Sequence, residues 1–115
     1  MSVKVAVRCR PFNAQEREAQ ARCVVAMRDN TTFVTNPGAE GSTRPYAFDH
    51  SFWSHDPTSP NFADQAQVYA ALGEQVLQDA FAGFNTTVFA YGQTSSGKVS
   101  FVLGNGCHGC LVLYS

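Results

Sequence analysis

The 115-residue chain is 44% apolar and 15% charged and carries a formal charge of −1, so it holds one domain or part of one. The even charge balance excludes the polybasic signature of a nucleic-acid or membrane-surface binder, and any attraction for anions must be local. Nine Phe, four Tyr and one Trp are too many buriable groups for a disordered chain.

Val3, Val5 and Val7 alternate with Lys4, Ala6 and Arg8 up to Pro11, which predicts an opening strand. Lys4, Arg8 and Arg10 interrupt any secretory core, and no window nears the ~20 apolar residues of a bilayer span. The expected location is therefore the cytosol. In that compartment Cys9, Cys23, Cys107 and Cys110 are expected to be reduced thiols.

Residues 13–20 are polar and rich in helix formers, with Asn13 placed to cap a short exposed helix. Cys23–Met27 and Thr32–Thr35 flank Arg28-Asp29-Asn30-Thr31, the pattern of a hairpin. Asn36, Pro37, Gly38, Gly41 and Ser42 mark a loop, and Tyr46–Phe52 alternates as one further strand ending near Trp53. After a proline-containing loop at 54–61, the run Phe62–Phe81 sets Val68, Leu72, Val76 and Ala80 four residues apart, predicting a long helix. Tyr69, Leu77 and Phe81 would widen its apolar face. Asn61 or Asp64 can cap its start, Gly73 marks close packing, and Gly83 stands where a left-handed cap belongs. Thr86–Tyr91 then reads as a strand buried on both faces of a parallel sheet.

Directly after that strand, Gly92-Gln93-Thr94-Ser95-Ser96-Gly97-Lys98 fits G-x-x-x-x-G-K. The glycines let backbone N–H groups wrap a phosphate, and Lys98 reaches the β- and γ-phosphates. The plain alternative is a Gly/Ser turn with a surface lysine. The next position calls for a Ser or Thr hydroxyl on Mg²⁺ but holds Val99, while Ser100 is turned ~100° away on a helix.

Val5-Ala6-Val7-Arg8-Cys9-Arg10-Pro11, Tyr46-Ala47-Phe48-Asp49, Val68-Tyr69 and Phe89-Ala90-Tyr91 leading into Gly92–Lys98 resemble, in order and spacing, the N-terminal third of a kinesin motor domain. Phe52-Trp53-Ser54-His55 is similar to the kinesin-3 subgroup. The resemblance covers residues 3–98 and implies an α/β, P-loop NTPase fold with an incomplete central sheet and a long helix before the P-loop strand. It also implies ATP with Mg²⁺ as cofactor, microtubules as partner, and a cytoplasmic, cytoskeletal location. On that footing Arg8, Arg10 and Pro11 lie beside the adenine, and Gly92–Lys98 with Val99 form the phosphate loop. Read from the residues alone, Arg8 and Arg10 leave open a solvated strand end.

The expected organisation is 1–98 as part of a kinesin-like motor domain and 99–115 as an apolar tail unlike the family. The family's switch segments and microtubule-gripping elements find no counterpart in that tail. The expectation is thus a chain that binds nucleotide without motor-like turnover, against the alternative of a non-enzymatic fragment that binds phosphate weakly or not at all. A nucleotide kinase is disfavoured by Val99. Cys107-His108-Gly109-Cys110 has zinc-ligand spacing but only three local ligands where four are wanted. The uncharged run Leu111-Val112-Leu113-Tyr114 reads as β-prone, and the bare apolar edge left beside Thr86–Tyr91 predicts poor solubility.

Overall fold

The computed structural model describes residues 3–36, 38, 42–91 and 110–114. The strands are β1 (Lys4–Cys9), β2 (Val25–Arg28), β3 (Thr31–Thr35), β4 (Thr43–Ala47), β5 (His50–Trp53), β6 (Val88–Tyr91) and β7 (Cys110–Tyr114). The helices are α1 (Ala14–Glu18), α2 (Gln65–Val68) and α3 (Glu74–Phe81), the last two joined by a π-helical turn at Tyr69–Gly73. One sheet has the order β5-β1-β7-β6 and the other β2-β3-β4.

The alternating valines make β1 as expected, and it pairs parallel with β5, Ala6 lying opposite His50. The expected hairpin is present, with Arg28 opposite Thr31 and Asp29 in the left-handed region at φ 53°. The single strand expected over Tyr46–Phe52 is in fact two. Asp49 breaks it, because its carboxylate accepts the Val5 N–H at 2.7 Å and so fastens the start of β1. Residues before the break, in β4, pair with β3, Phe33 opposite Pro45, while those after it join the other sheet. A hydroxyl pair, Thr32 with Ser51 at 3.0 Å, ties the two sheets together, and the Asn61 amide donates to the Met27 carbonyl of β2 at 3.1 Å.

The long helix begins at Gln65 rather than Phe62, and Asp64, not Asn61, caps it. The Asp64 carboxylate accepts the Gln67 N–H and the Gln67 side chain accepts the Asp64 N–H, each at 2.8 Å, a reciprocal capping box. Phe62 instead bridges Trp53. Val68 and Leu72 are buried with Ala6, Phe52 and Ala63, and Val76 packs against them. The wider apolar face is not used: Tyr69, Leu77 and Phe81 are exposed, and α3 buries no residue. A π turn admits one residue more than an α turn, which swings the following helix by ~100°, and the buried seam stays narrow. At the C-terminus the Phe84 N–H reaches the Asp79 carbonyl and the Gly83 N–H the Ala80 carbonyl, with Gly83 at φ 89°: the Schellman geometry expected of that glycine.

Two expectations about the sheet need correction. β6 is not a strand buried on both faces of a parallel pair. It pairs antiparallel with β7, ends the strand order among the described residues, and leaves Val88 and Phe89 42% and 62% exposed there. Apolar run length reports what a strand is able to bury, not what covers it. The β-prone segment near residue 111 does form a strand, but inside the sheet: β7 lies between β1 and β6, antiparallel to both.

Candidate functional site

Because β1 and β6 are each antiparallel to β7, they run the same way. Leu111 stands opposite both Val7 and Tyr91, so Tyr91 is level with Val7 across the sheet. The C-terminal ends of β1 and β6 therefore open on the same end of the sheet, where open α/β sheets bind their ligands.

At that end Arg8 is 1% exposed, so the solvated strand-end alternative falls away for it. Its Nε donates to Ser54 Oγ at 2.8 Å and its Nη1 to Gln65 Oε1 at 2.6 Å. Ser54 in turn donates from Oγ to the Ala63 carbonyl at 2.6 Å, and its N–H bonds the Cys9 carbonyl at 3.0 Å. Arg8 thus ties β1, the end of β5 and the start of α2 into one block.

Arg10 has a different partner. Its Nη1 donates to Glu16 Oε2 at 2.6 Å, and its Nη2 to Glu16 Oε1, a two-pronged pair on α1. The Arg10 guanidinium, and after it the Asn13 N–H, hold the Glu16 carboxyl down to about 2, and the same hydrogen bonds raise Arg10 above its ordinary value. Glu16 also completes the cap of α1, accepting the Asn13 N–H at 2.8 Å while Asn13 Oδ1 accepts the Glu16 N–H. Asn13 is the expected cap. The role of Glu16 was legible only in part: N-x-x-E signals a capping box, whereas its pairing with Arg10 depends on the chain reversing at Pro11.

Beside Pro11 lies an open cleft of about 450 Å³, walled by Phe12, Arg17, Ser54, His55 and Phe62. Phe12 meets His55 edge to face, ring centres 4.7 Å apart, and the Trp53 ring centre lies 5.1 Å from that of His55, the planes tilted by 48°. His55 Nδ1–H donates to the Arg10 carbonyl at 2.9 Å, which fixes the ring. No spacing in the sequence marked His55 as part of this wall.

Gly92, Gln93, Thr94, Ser95, Ser96, Gly97, Lys98 and Val99 lie outside the described residues, as do Cys107 and His108. What is described is the strand before them, β6, which ends at Tyr91. Cys9 and Cys23 are free thiols, and burial, then the nearby Cys23, pushes Cys9 up to about 11, so it is a poor nucleophile at neutral pH. Among the described residues no group of three His, Cys, Asp or Glu side chains is placed to hold a metal ion, and no helix is long and apolar enough to cross a membrane.

A family model of the kinesin motor domain matches residues 8–111. The chain belongs to that family. Among curated relatives of this kinesin chain, human kinesin-like protein KIF1C is 50% identical over 105 residues, covering 90% of this chain and 10% of KIF1C. Kinesin-like protein unc-104 of Caenorhabditis elegans is 45% identical over 103 residues, covering 90% and 6%. These are relatives of the kinesin-3 type that the residues resembled. A solved KIF14 segment, with ADP and in complex with a microtubule, superposes with a TM-score of 0.76 at 41% identity, covering 83% of this chain and 26% of that one. The chain thus spans about a tenth or less of these curated relatives.

Proposed function

We propose that this chain is the nucleotide-binding N-terminal part of a microtubule motor. Gly92, Gln93, Thr94, Ser95, Ser96, Gly97 and Lys98 take the phosphates of ATP, and the adenine lies against Pro11. The observation that carries this reading is the shared direction of β1 and β6, which brings the C-terminal ends of the two strands, at Cys9 and Tyr91, to the same end of one sheet. A cleft of about 450 Å³ beside Pro11 falls in the size range of small-molecule sites, and its aromatic wall suits a planar base.

Within this reading Arg8 is a positioning residue, holding the end of β1 from behind through Ser54 and Gln65. Arg10, its charge engaged by Glu16, contributes its stem and carbonyl region. Magnesium, when bound, offsets charge between the β- and γ-phosphates; Val99 brings no oxygen to it, and phosphate binding rests on backbone N–H groups and Lys98. Residues 99–115 follow the nucleotide-binding part as a separate segment whose strand β7 is built into the sheet, and the activity proposed for this chain is binding without motor-rate turnover. The proposed partner is the microtubule and the proposed place the cytoplasmic cytoskeleton, supported by kinship with the KIF14 segment solved on a microtubule.

Calorimetric titration of the purified chain with ATP tests the reading. Saturable binding that Lys98→Ala abolishes is the expected result. No binding at millimolar ATP, or binding indifferent to Lys98→Ala, overturns it.

A further inference from the structure

His55 stands in the wall of the cleft beside Pro11, and its protonation pattern is set by the fold. Its Nδ1 lies 2.9 Å from the Arg10 carbonyl. A carbonyl oxygen only accepts, so the proton sits on Nδ1, and in the neutral ring Nε2 is left as an acceptor. The two nitrogens flank Cε1, so Nε2 is turned away from the carbonyl that Nδ1 faces. What holds the ring is itself fixed. The Arg10 guanidinium is fastened by both its prongs to Glu16, the Ser54 N–H bonds the Cys9 carbonyl at 3.0 Å, and the Phe12 ring meets the imidazole edge to face. An acceptor of set orientation thus belongs to the cleft wall.

We infer that His55 is the base-selecting residue of this cleft, its neutral Nε2 accepting a hydrogen bond from the 6-amino group of adenine and disfavouring a 6-oxopurine. This role rests on the nucleotide binding proposed above, and adds to it the residue that tells one purine from another. The two kinds of purine are opposites at the position read: adenine offers an amino donor there and guanine a carbonyl acceptor. A 6-oxo group would set one acceptor against another, whereas protonation of the ring turns Nε2 into a donor and removes the preference. The charged groups about the ring are Arg10, Glu16 and Arg17 on the β1–α1 side and Asp56 beside it in the chain. They act on two purine nucleotides alike, so a ratio of affinities cancels them, as it cancels the contribution of Lys98 to the phosphates.

Equilibrium titrations of the purified chain with ATP and with inosine triphosphate, which carries a 6-carbonyl and N1–H in place of the 6-amino group and bare N1, test it. ATP is expected to bind roughly tenfold tighter in mildly alkaline buffer, the worth of one hydrogen bond made in one case and opposed in the other. The ratio should fall as the pH is lowered from about 8 to about 5.5, the range over which imidazoles take up a proton. His55→Asn keeps an N–H near the Nδ1 position for the Arg10 carbonyl but has no atom at Nε2. His55→Phe keeps a ring against Phe12 and Trp53 but has no nitrogen. Both should bring the ratio close to one and flatten its pH dependence. Equal affinities in the unaltered chain, or a preference that survives in both variants, overturn the inference and leave nucleotide binding standing. Loss of both nucleotides in both variants also overturns it, making His55 a structural residue, and failure of the unaltered chain to bind either nucleotide overturns nucleotide binding and this role together.

Discussion

Arg8 Nε and Ser54 Oγ meet at 2.8 Å with both residues 1% exposed, so a cation is held inside the protein by a hydroxyl. That hydroxyl is committed on its far side to the Ala63 carbonyl. Ser54→Ala removes an acceptor from a buried guanidinium and a donor from a buried carbonyl. An unmet buried group costs about 1–3 kcal/mol, so a loss of about 2 kcal/mol is expected in urea unfolding followed by the fluorescence of Trp53, next to the substitution. A change below about 0.5 kcal/mol, the range of surface substitutions, would show that Arg8 is held adequately by its other partners.

Glu16 should titrate far below an ordinary glutamate. Its carboxyl is lowered from 4.5 to about 2, first by Arg10 and then by the Asn13 N–H. The folded value lies below the unfolded one, so the contribution to stability is fully present above pH 4.5 and is lost as pH falls from there through 2. The pair is partly exposed and screened by solvent, and about 1 kcal/mol is a ceiling for it. Carbon-detected NMR titration of the Glu16 carboxyl should give a midpoint near 2, moving toward 4.5 in Arg10→Met. A midpoint near 4.5 in the unaltered protein would mean that α1 is not fastened to Arg10.

Gly73 is required by Tyr69 and not by the helix. A Cβ at position 73 would stand 2.6 Å from Tyr69 Cδ2, since the π turn brings the Tyr69 ring over the glycine. Gly73→Ala alone should therefore be neutral or destabilising, despite the gain of ~1 kcal/mol that alanine brings to a helix interior. In a Tyr69→Ala background the clash is gone and the same change should stabilise by about 1 kcal/mol. Equal effects of Gly73→Ala in the two backgrounds would refute the steric account.

The ends of α1 and α3 make an opposed pair. Both close with Schellman hydrogen bonds, Ala21 N–H to Glu16 O and Phe84 N–H to Asp79 O, but the left-handed position is Gln20 at φ 54° in one and Gly83 at φ 89° in the other. Gln20→Gly should stabilise by about 0.5–1 kcal/mol and Gly83→Ala destabilise by about 1 kcal/mol or more. Nothing lies within 4 Å of a Cβ at Gly83, so the second cost is backbone strain alone. Urea midpoints that move in the same direction for both changes would contradict this.

Local chemistry is what the sequence made legible. The alternating valines of β1, the caps at Asn13 and Gly83, the seam through Val68 and Leu72, and the strand before Gly92 all rest on spacings within a few residues. The misses are partners far along the chain. Asp49 splits an alternating run because it is needed by Val5, 44 residues away, and no periodicity encodes that demand. Val88 and Phe89 have the composition of a buried strand, yet burial depends on a neighbour that β6 lacks among the described residues. On the site side, Arg8, Arg10 and Pro11 were picked out by motif. Their internal partners Ser54, Gln65 and Glu16 came only with the fold, because each is brought to β1 by a turn of the chain.

On the proposed reading, Val99 separates two things that a phosphate loop normally does together. Backbone N–H groups and Lys98 bind phosphate without help from a side-chain hydroxyl, whereas magnesium is held in P-loop proteins by the Ser or Thr after the lysine. With valine there, ATP binding should be almost indifferent to magnesium. Val99→Thr restores the oxygen and should make binding tighten on adding magnesium, by a factor of about ten if one charge-assisted contact of ~1.5 kcal/mol is gained. On the proposed reading of binding without motor-rate turnover, no turnover should appear with the change. Titrations with ATP in magnesium and in EDTA, run on both proteins, read this directly. A magnesium dependence already present with Val99 would show that the ion finds its ligand elsewhere, and a Val99→Thr protein that hydrolyses ATP at a motor-like rate would show that the hydroxyl was the one missing part.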